Sequence, residues 1–337
     1  MSATLSVVIP VYNEEAGLAS LYERLYPALD ALRRQYEVIF VDDGSSDRSV
    51  ALLREQFQRR PDTTRVIVLA RNAGQHMAIL AGFAQSRGDY VVTLDADLQN
   101  PPEEIAKIIA AMDGGADYVG TIRARRHDVY WRKAASRMMN RIRERTTQIS
   151  ITDQGCMLRG YHRSIVEAIN RCLEVSTYVP ALGYTFARHP VEIEVAHAER
   201  KAGQSKYSLY RLIRLNFDLM TGFSVAPLQF FTMAGTALAV LSLLFVVALA
   251  IRRLVVGPEA EGVFTLFGIA FFLIGVLLIG LGVVGEYVGR IYEQVRQRPR
   301  YTIAVVLEDN DATHDVHQTQ KLPGLSHDIE SPVKELE

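Results

Sequence analysis

Two short acidic runs carry the residue types and spacing of a metal-assisted reaction site. The first is Asp42-Asp43-Gly44-Ser45-Ser46-Asp47, and the second is Asp95-Ala96-Asp97-Leu98-Gln99-Asn100. Asp95 and Asp97 are spaced i, i+2 after an apolar stretch, so their carboxylates can converge on one divalent cation. Gln99 offers a third, neutral oxygen, and hard oxygen ligands favour Mg²⁺ or Mn²⁺ bound together with phosphate groups. We therefore predict a metal site made by Asp95, Asp97 and Gln99.

The first acidic run and the segments near it have polar groups suited to a nucleotide. One of Asp42 and Asp43 can accept hydrogen bonds from a base or ribose, while the other supports the loop. Tyr12 offers a stacking surface, and a helix that begins after Gly74 could direct its N-terminal amides at a phosphate. Turn and capping roles are the alternative for Glu14 and, to a lesser degree, for Asp43. The predicted nucleotide-binding residues are Pro10, Tyr12, Glu14, Asp42, Asp43, Gly74, Asp95 and Ala96.

A basic segment lies further along the chain, where residues 123–145 carry nine Lys and Arg side chains. Lys133, Arg137, Arg141 and Arg145 recur every four residues opposite apolar positions, which predicts a basic amphipathic helix near residues 130–147. An ordinary solvated helix face would show the same pattern. The apolar stretches downstream favour instead a helix that lies on an anionic lipid surface.

Two long stretches without charge predict membrane-spanning helices. No Asp, Glu, Lys or Arg occurs in residues 219–251 or 262–285, and a span needs roughly 20 apolar residues. We predict a hairpin of helices at about 227–251 and 262–285, preceded by an interfacial helix at 207–226. Arg side chains are more numerous outside the hairpin than in its connecting loop, which predicts that both termini lie in the cytosol. The lipid bilayer is therefore an expected partner.

The N-terminal half alternates β-branched runs with amphipathic helical patterns, which is typical of an α/β, mainly parallel sheet. The predicted strands cover 5–11, 37–41, 65–69, 90–94 and 117–121, and the predicted helices cover 14–34, 47–59, 75–86 and 101–112. Ligands of such sheets bind beyond the carboxyl ends of the strands, where both acidic runs lie. We predict a cytosolic catalytic domain over residues 1–206.

Length and composition agree with this division. The 337 residues suffice for one α/β domain and a smaller module, and the formal net charge of −1 conceals opposed local charges. The two cysteines, Cys156 and Cys172, have neither metal-ligand spacing nor a disulfide framework, which fits a reducing compartment. The N-terminus lacks the features of a signal peptide. At the other end we predict a cytosolic segment at 287–304 and a disordered acidic tail at 305–337.

Together these motifs resemble the inverting glycosyltransferases of family 2, which have a Rossmann-like GT-A fold. The similar runs are residues 8–14, 41–47, 71–74, 95–103 and 203–207. The last two, with the C-terminal hairpin, are similar to the polyprenyl-phosphate branch of that family. No Gln-x-x-Arg-Trp motif surrounds Trp131, the single tryptophan, so a processive polymer synthase is disfavoured.

The resemblance implies a specific reaction. It is the metal-dependent, inverting transfer of 4-deoxy-4-formamido-L-arabinose from a UDP donor to undecaprenyl phosphate. The expected location is the cytosolic face of a bacterial inner membrane, where the product would serve lipid A modification and polymyxin resistance. Related enzymes imply a homotetramer, and no nucleic-acid partner is expected.

The acceptor would need orientation and charge neutralisation more than deprotonation, because a phosphate monoester is already mostly ionised at neutral pH. The predicted acceptor-binding residues are Arg123, Arg132, Ser136, Asn140 and Lys206. Asp97 and Asp153 are the predicted catalytic residues. Asp97 would hold the cation that stabilises the departing diphosphate, and Asp153 would orient the acceptor or sugar, or act as a base. A structural salt bridge to a nearby arginine is the alternative for Asp153.

Two other functions stay open at the level of sequence. A polyprenyl-phosphate glucose or mannose synthase would keep the fold and the lipid but use UDP-glucose or GDP-mannose. A non-catalytic nucleotide-binding membrane scaffold would need neither the acidic pair nor the basic acceptor residues, and their joint presence argues against it.

Overall fold

The computed structural model describes residues 3–123, 151–153, 155–172, 178–197, 225–256, 263–296 and 298–309. The strands are β1 (Leu5–Val11), β2 (Tyr36–Asp42), β3 (Thr64–Leu69), β4 (Tyr90–Thr93), β5 (Tyr118–Arg123), β6 (Arg159–His162), β7 (Pro190–Val195) and β8 (Ile303–Leu307). The helices are α1 (Leu18–Asp30), α2 (Ser49–Arg59), α3 (Gln75–Gln85), α4 (Ile105–Asp113), α5 (Arg163–Arg171), α6 (Val179–Phe186), α7 (Ala226–Val256) and α8 (Val263–Val295), and a 3-10 turn covers Pro102–Glu104.

One mixed sheet contains all eight strands, in the order β7-β5-β6-β4-β1-β2-β3-β8. Strand β1 pairs in parallel with β2 and β4, so that Val8 is level with Ile39 on one side and with Thr93 on the other. Strands β6 and β8 pair antiparallel with their neighbours, and the remaining strands run in one direction. The carboxyl ends of these parallel strands therefore meet at one edge of the sheet.

Helices cover both faces of the sheet because its central strands are apolar on both sides. Val7 and Ile9 of β1 belong to the same buried cluster as Leu21 of α1. Val8, the residue between them, belongs instead to the cluster that contains Ile79 of α3. Burial on both faces is the property that gives strands of parallel sheets their nearly continuous apolar sequence.

The predicted α/β class is confirmed, and the sheet has more strands than the sequence analysis located. The five predicted strands agree with β1 to β5 to within two residues at each end. Strands β6, β7 and β8 were not predicted. The sequence of β6 is only four residues long and includes Arg, Gly and His, and β7 lies at the sheet edge with an exposed Val191, so neither has the apolar run of a central strand.

Two long apolar helices follow strand β7 along the chain. Helix α7 has 31 residues and α8 has 33, and they include most of the predicted spans at 227–251 and 262–285. Within the described residues, Ile269–Val295 is long and apolar enough to cross a membrane, with a mean hydropathy of 2.4, and Leu228–Leu238 is a shorter apolar segment. The predicted basic helix near 130–147, and the interfacial helix up to residue 224, lie outside the described residues.

The end of the chain corrects the predicted domain limits. Strand β8 pairs antiparallel with β3, with Val66 level with Leu307, so it crosses the boundary that was placed at residue 305. Glu308, the next residue, forms two ion pairs through Oε2, with Nη2 of Arg65 at 2.8 Å and with Nη2 of Arg87 at 2.7 Å. Arg65 is buried and also pairs with Glu37 at 3.0 Å. Residues 303–308 thus belong to the folded domain rather than to a disordered tail.

Two deletions test this boundary. Deleting residues 302–337 removes β8 and Glu308, leaves the β3 edge open and takes away one partner of the buried Arg65. We expect a loss of about 3 kcal/mol in stability, which is a fall of roughly 5–10 °C in the Tm of the protein in detergent. The control, deletion of residues 310–337, should leave Tm unchanged, and equal Tm values for the two deletions would contradict this role of β8.

Candidate active site

The loops after β1 and β2 are joined by reciprocal hydrogen bonds. The backbone N–H of Asn13 donates to Ser45 Oγ at 2.9 Å, and the N–H of Ser46 donates to Asn13 Oδ1 at 2.8 Å. Asn13 has a φ of 54°, a conformation that asparagine adopts more readily than most residues. The backbone of Glu14 is held in the same way, because its N–H donates to Ser49 Oγ at 2.9 Å. These contacts fix the first two loops of the site against each other.

The two carboxylates at the end of β2 have different partners. Asp43 accepts the backbone N–H of Ala73 at 2.7 Å and that of Gly74 at 2.9 Å, one on each oxygen. Asp42 accepts the N–H groups of Gly44 and Ser45 through Oδ2, while its buried Oδ1 has no hydrogen-bond partner among the described residues. Burial raises the pKa of Asp43. Asp43 therefore makes the loop-supporting contacts of the alternative, its role as a nucleotide ligand stays a prediction, and Asp42 keeps an available acceptor.

The second acidic run lies beyond β4, next to the first. Gln75, the first residue of α3, donates from Nε2 to Asp95 Oδ1 at 2.6 Å. The backbone N–H of Gln99 donates to Asp97 Oδ1 at 3.1 Å. Burial, and then the neighbouring carboxylate of Asp97, raise the pKa of Asp95 to about 7. The pair therefore concentrates negative charge in a place with limited solvent, where a cation would be strongly attracted.

A strained residue shapes this run. Leu98, which lies between Asp97 and Gln99, has a φ of 58°. A left-handed conformation of a residue with a branched side chain costs about 1–3 kcal/mol, and such strain is concentrated at functional sites. The side chain of Leu98 packs against the core. The turn at Leu98 is what brings the N–H of Gln99 back to the carboxylate of Asp97.

The remaining predicted nucleotide residues surround these carboxylates. Pro10 is level with Val41 in the β1–β2 ladder, and Tyr12 just beyond it is 49% exposed. Glu14 is near enough for its charge to contribute to the raised pKa of Asp95. Its backbone carbonyl also accepts the N–H of Gly17 at 3.0 Å, so the predicted turn role is present as well. Ala96 is buried, and Gly74 precedes α3 with a φ of 96°.

An ion pair lies at the end of β5, on the same side of the sheet. Asp153 is 4% exposed, and its Oδ2 and Oδ1 accept Nε and Nη2 of Arg123 at 2.6 and 2.8 Å. The guanidinium is thereby held in a two-point fork, which is the strongest geometry for such a pair. The positive charge of Arg123 also acts on Asp95, lowering its otherwise raised pKa. The salt-bridge alternative for Asp153 is what the structure contains.

Three residues of the site were assigned no role from the sequence. Gln75 contacts Asp95, as described above, and Gly155 donates its N–H to Asp153 Oδ1 at 3.1 Å. His197 follows β7, in which Val195 is level with Arg123, and its pKa is lowered by burial and then by the charge of Arg123. The predicted acceptor residues Arg132, Ser136, Asn140 and Lys206 lie outside the described residues.

The donor set suits a divalent cation that is shared with a substrate. Among the described residues, no group of three or more His, Cys, Asp and Glu side chains could hold a metal ion by itself. Asp95 and Asp97 offer two carboxylates whose mutual repulsion a cation would relieve. Mg²⁺ is commonly held by one or two carboxylates together with substrate phosphates. The residues present therefore fit such an ion.

Comparison with known proteins decides the family. The family model for glycosyl transferase family 2 matches residues 6–169. Among the relatives is the undecaprenyl-phosphate 4-deoxy-4-formamido-L-arabinose transferase of Edwardsiella ictaluri, which is 50% identical over 91% of this chain and 95% of its own length. The chain belongs to glycosyl transferase family 2. Transferases of the same name from Proteus mirabilis and Yersinia pestis are 50% and 49% identical, over 90% and 93% of this chain and 94% and 97% of their own lengths.

Solved structures also resemble this glycosyltransferase. Glucosyl-3-phosphoglycerate synthase from Mycobacterium tuberculosis, in complex with phosphoglyceric acid, has a TM-score of 0.46 and 19% identity, over 66% of this chain and 79% of that one. The same synthase in complex with Mn²⁺, uridine diphosphate and phosphoglyceric acid has a TM-score of 0.45 and 17% identity, over 65% and 77% of the two chains.

The requirement for glycine at position 155 can be tested by substitution. A Cβ atom at this position would lie 2.7 Å from Arg123 Nη2, so Gly155→Ala must displace a guanidinium that Asp153 holds. We expect kcat/KM for transfer to fall about tenfold, which is about 1.4 kcal/mol, with Tm unchanged. Gly114→Ala, at the end of α4, is the control and should leave both unaltered. Full activity of Gly155→Ala would mean that the position of Arg123 does not limit transfer.

Proposed function

We propose that this glycosyltransferase transfers 4-deoxy-4-formamido-L-arabinose from a UDP donor to undecaprenyl phosphate. The observation that carries the proposal is identity of about half of the residues, over more than nine tenths of both chains, with transferases named for this sugar and this acceptor. The site agrees with it chemically. It places a pair of carboxylates and a fixed guanidinium at one edge of the sheet, the combination needed to join a diphosphate donor to a phosphate acceptor.

The donor would be bound on the β1–β2 side of the site. The buried Oδ1 of Asp42 lacks a partner among the described residues, and an N–H group of a base would satisfy it. Tyr12 is exposed beside this position and offers a ring for stacking. Asp95 and Asp97 would hold Mg²⁺ or Mn²⁺, and an ion bound there would supply charge neutralisation for the diphosphate leaving group.

The acceptor would be bound on the β5 side by Arg123. The phosphate of the lipid has a second pKa of about 6 and is mostly ionised at pH 7, so its oxygen is already nucleophilic. Attack at the anomeric carbon forms a bond between that carbon and a phosphate oxygen, breaks the bond to the diphosphate and inverts the configuration. Arg123 binds and orients the phosphate, and Asp153 holds Arg123 rather than removing a proton.

Helices α7 and α8 would hold the protein at the bilayer that contains its lipid substrate. Large apolar side chains such as Phe230, Leu254 and Phe271 are exposed along them, which is expected of surfaces that contact lipid. We propose that both helices span the inner membrane, with the catalytic domain on the cytosolic side. Arg132, Ser136, Asn140 and Lys206 complete the acceptor site in this proposal, and assembly as a homotetramer stays a prediction.

The reaction is tested by identifying its lipid product. The purified full-length protein is incubated with undecaprenyl phosphate, Mg²⁺ and an equimolar mixture of UDP-4-deoxy-4-formamido-L-arabinose, UDP-glucose and GDP-mannose. Mass spectrometry should find the formamido-arabinosyl lipid as the main product. A glucosyl or mannosyl lipid would replace the proposed donor, and binding of a nucleotide without any lipid product would indicate the scaffold function.

Removal of the metal or of its ligands should abolish transfer. Excess EDTA should stop the reaction and Mg²⁺ or Mn²⁺ should restore it. Asp97→Ala should lower kcat at least about 100-fold, because a metal ion contributes several kcal/mol to stabilising charge in a transition state. Asp62→Asn, an exposed residue between α2 and β3, is the control and should keep full activity. Turnover by Asp97→Ala at the normal rate would exclude this metal site.

A second substitution separates the two roles considered for Asp153. If the residue positions Arg123, Asp153→Asn weakens the fork and should raise KM for undecaprenyl phosphate about tenfold, the effect of losing a charged hydrogen bond, with kcat changed less than about threefold. Loss of a general base would instead lower kcat by about 10²–10⁴. Steady-state kinetics with varied lipid phosphate distinguish these results, and a fall in kcat alone would restore the role of a base.

A further inference from the structure

Arg159, the first residue of β6, is a buried cation to which the sequence analysis gave no role. It is 0% exposed. Its three nitrogens donate to three acceptors: Nε to the Cys156 carbonyl at 2.9 Å, Nη1 to the Tyr118 hydroxyl at 2.6 Å and Nη2 to the Asp153 carbonyl at 2.6 Å. No carboxylate of the described residues forms an ion pair with it. A guanidinium is thus used, deep in the fold, to hold neutral groups in place.

Burying the Arg159 guanidinium destabilises the fold, because removing a charge from water carries a desolvation free energy of several kcal/mol. The penalty is offset here by strong charge-assisted hydrogen bonds in fork geometry, which a lysine could not reproduce. Apolar residues would fill the same volume without the penalty. The presence of arginine therefore indicates that the position of the groups it holds matters.

Two of those groups, the carbonyls of Asp153 and Cys156, lie in the loop between β5 and β6 that also contacts Arg123. Nη2 of Arg159 holds the backbone carbonyl of Asp153, and the side chain of the same Asp153 holds the guanidinium of Arg123. Nε holds the carbonyl at the other end of the loop, on Cys156. The loop is in close contact with Arg123, because the space beside Gly155 is only wide enough for hydrogen. A small movement of this backbone therefore moves the Arg123 guanidinium directly.

The surroundings of Arg159 keep its donors directed at this loop. The Tyr118 hydroxyl, which accepts Nη1, also donates to the Pro180 carbonyl at 3.3 Å. Further along the loop, Thr121 Oγ1 donates to the Leu158 carbonyl at 2.6 Å, and Thr93 Oγ1 donates to that of Met157 at 2.5 Å. The segment is thus anchored to β4 and β5, and Arg159 is the described anchor that reaches the carbonyl of Asp153.

We propose that Arg159 is a positioning residue for the acceptor phosphate, acting through Asp153 on Arg123. The identity of the phosphate rests on the proposed function, whereas the coupling of the two arginines does not. Without Arg159, the loop carbonyls lose their partners, Asp153 shifts, and Arg123 no longer meets the phosphate in the productive orientation.

A double-mutant cycle tests the coupling, because residues that act through one another have non-additive effects. Arg159→Met is made in the native protein and in an Arg123→Gln background, and kcat/KM for undecaprenyl phosphate is measured with the Tm of each variant. We expect Arg159→Met to lower kcat/KM about 30-fold in the native protein, mainly through KM, and less than threefold in the Arg123→Gln background.

Arg65→Met is the matched control. Arg65 is also a buried arginine, 6% exposed, but it lies in β3 and pairs with Glu37 and Glu308. Its replacement should lower Tm, and any effect on kcat/KM should be the same factor in both backgrounds. This control separates a general loss of stability from a specific effect on Arg123.

Tyr118→Phe provides a milder variant if Arg159→Met does not fold. It removes only the hydroxyl that accepts Nη1, and its smaller loss of kcat/KM should also disappear in the Arg123→Gln background. Equal losses in both backgrounds, or native kcat/KM in Arg159→Met, would overturn the inference. Absence of any lipid product from the native protein would refute the proposed function instead, so the two failures are distinguishable.

Discussion

The parallel pairing of β1 with both β2 and β4 is the constraint on which the rest of the structure depends. Because β1 runs parallel to both neighbours, the carboxyl ends of the three strands point the same way and their loops share one edge. Asp42 and Asp95 come from parts of the sequence more than fifty residues apart, yet this register brings them to one site. The hydrophobic effect that buries both faces of β1 therefore also assembles the polar groups.

Charge is the second organising feature of the site. The carboxylates of Asp95 and Asp97 repel each other in a partly buried place, and burial and this repulsion together raise the pKa of Asp95. Arg123 balances part of that charge, but its guanidinium is shared with Asp153. The site is therefore negatively charged at the β4 loop, and at the end of β5 it carries the Arg123 guanidinium paired with Asp153. A donor bridged by a cation and an anionic acceptor are complementary to these two halves.

The sequence predicted those parts of the molecule that local patterns determine. Central strands such as β1 are continuous apolar runs, and the acidic run after β4 has a distinctive composition, so both were found. The contacts of Asp43 and Asp153 could not be read from the sequence, because their partners Ala73, Gly74 and Arg123 are about thirty residues away in the chain. Short strands such as β6 were missed because their stability comes from neighbours rather than from their own residues.

Strand β8 makes the order of biosynthesis important for this protein. Its residues leave the ribosome after both long apolar helices, and it pairs with β3, whose residues were synthesised more than two hundred positions earlier. Nascent chains generally fold domain by domain from the N-terminus, but this eight-stranded sheet is incomplete until β8 has been synthesised. The sheet therefore reaches its complete form only after both long apolar helices have been made, so that its assembly follows the synthesis of the segments that we propose to span the membrane.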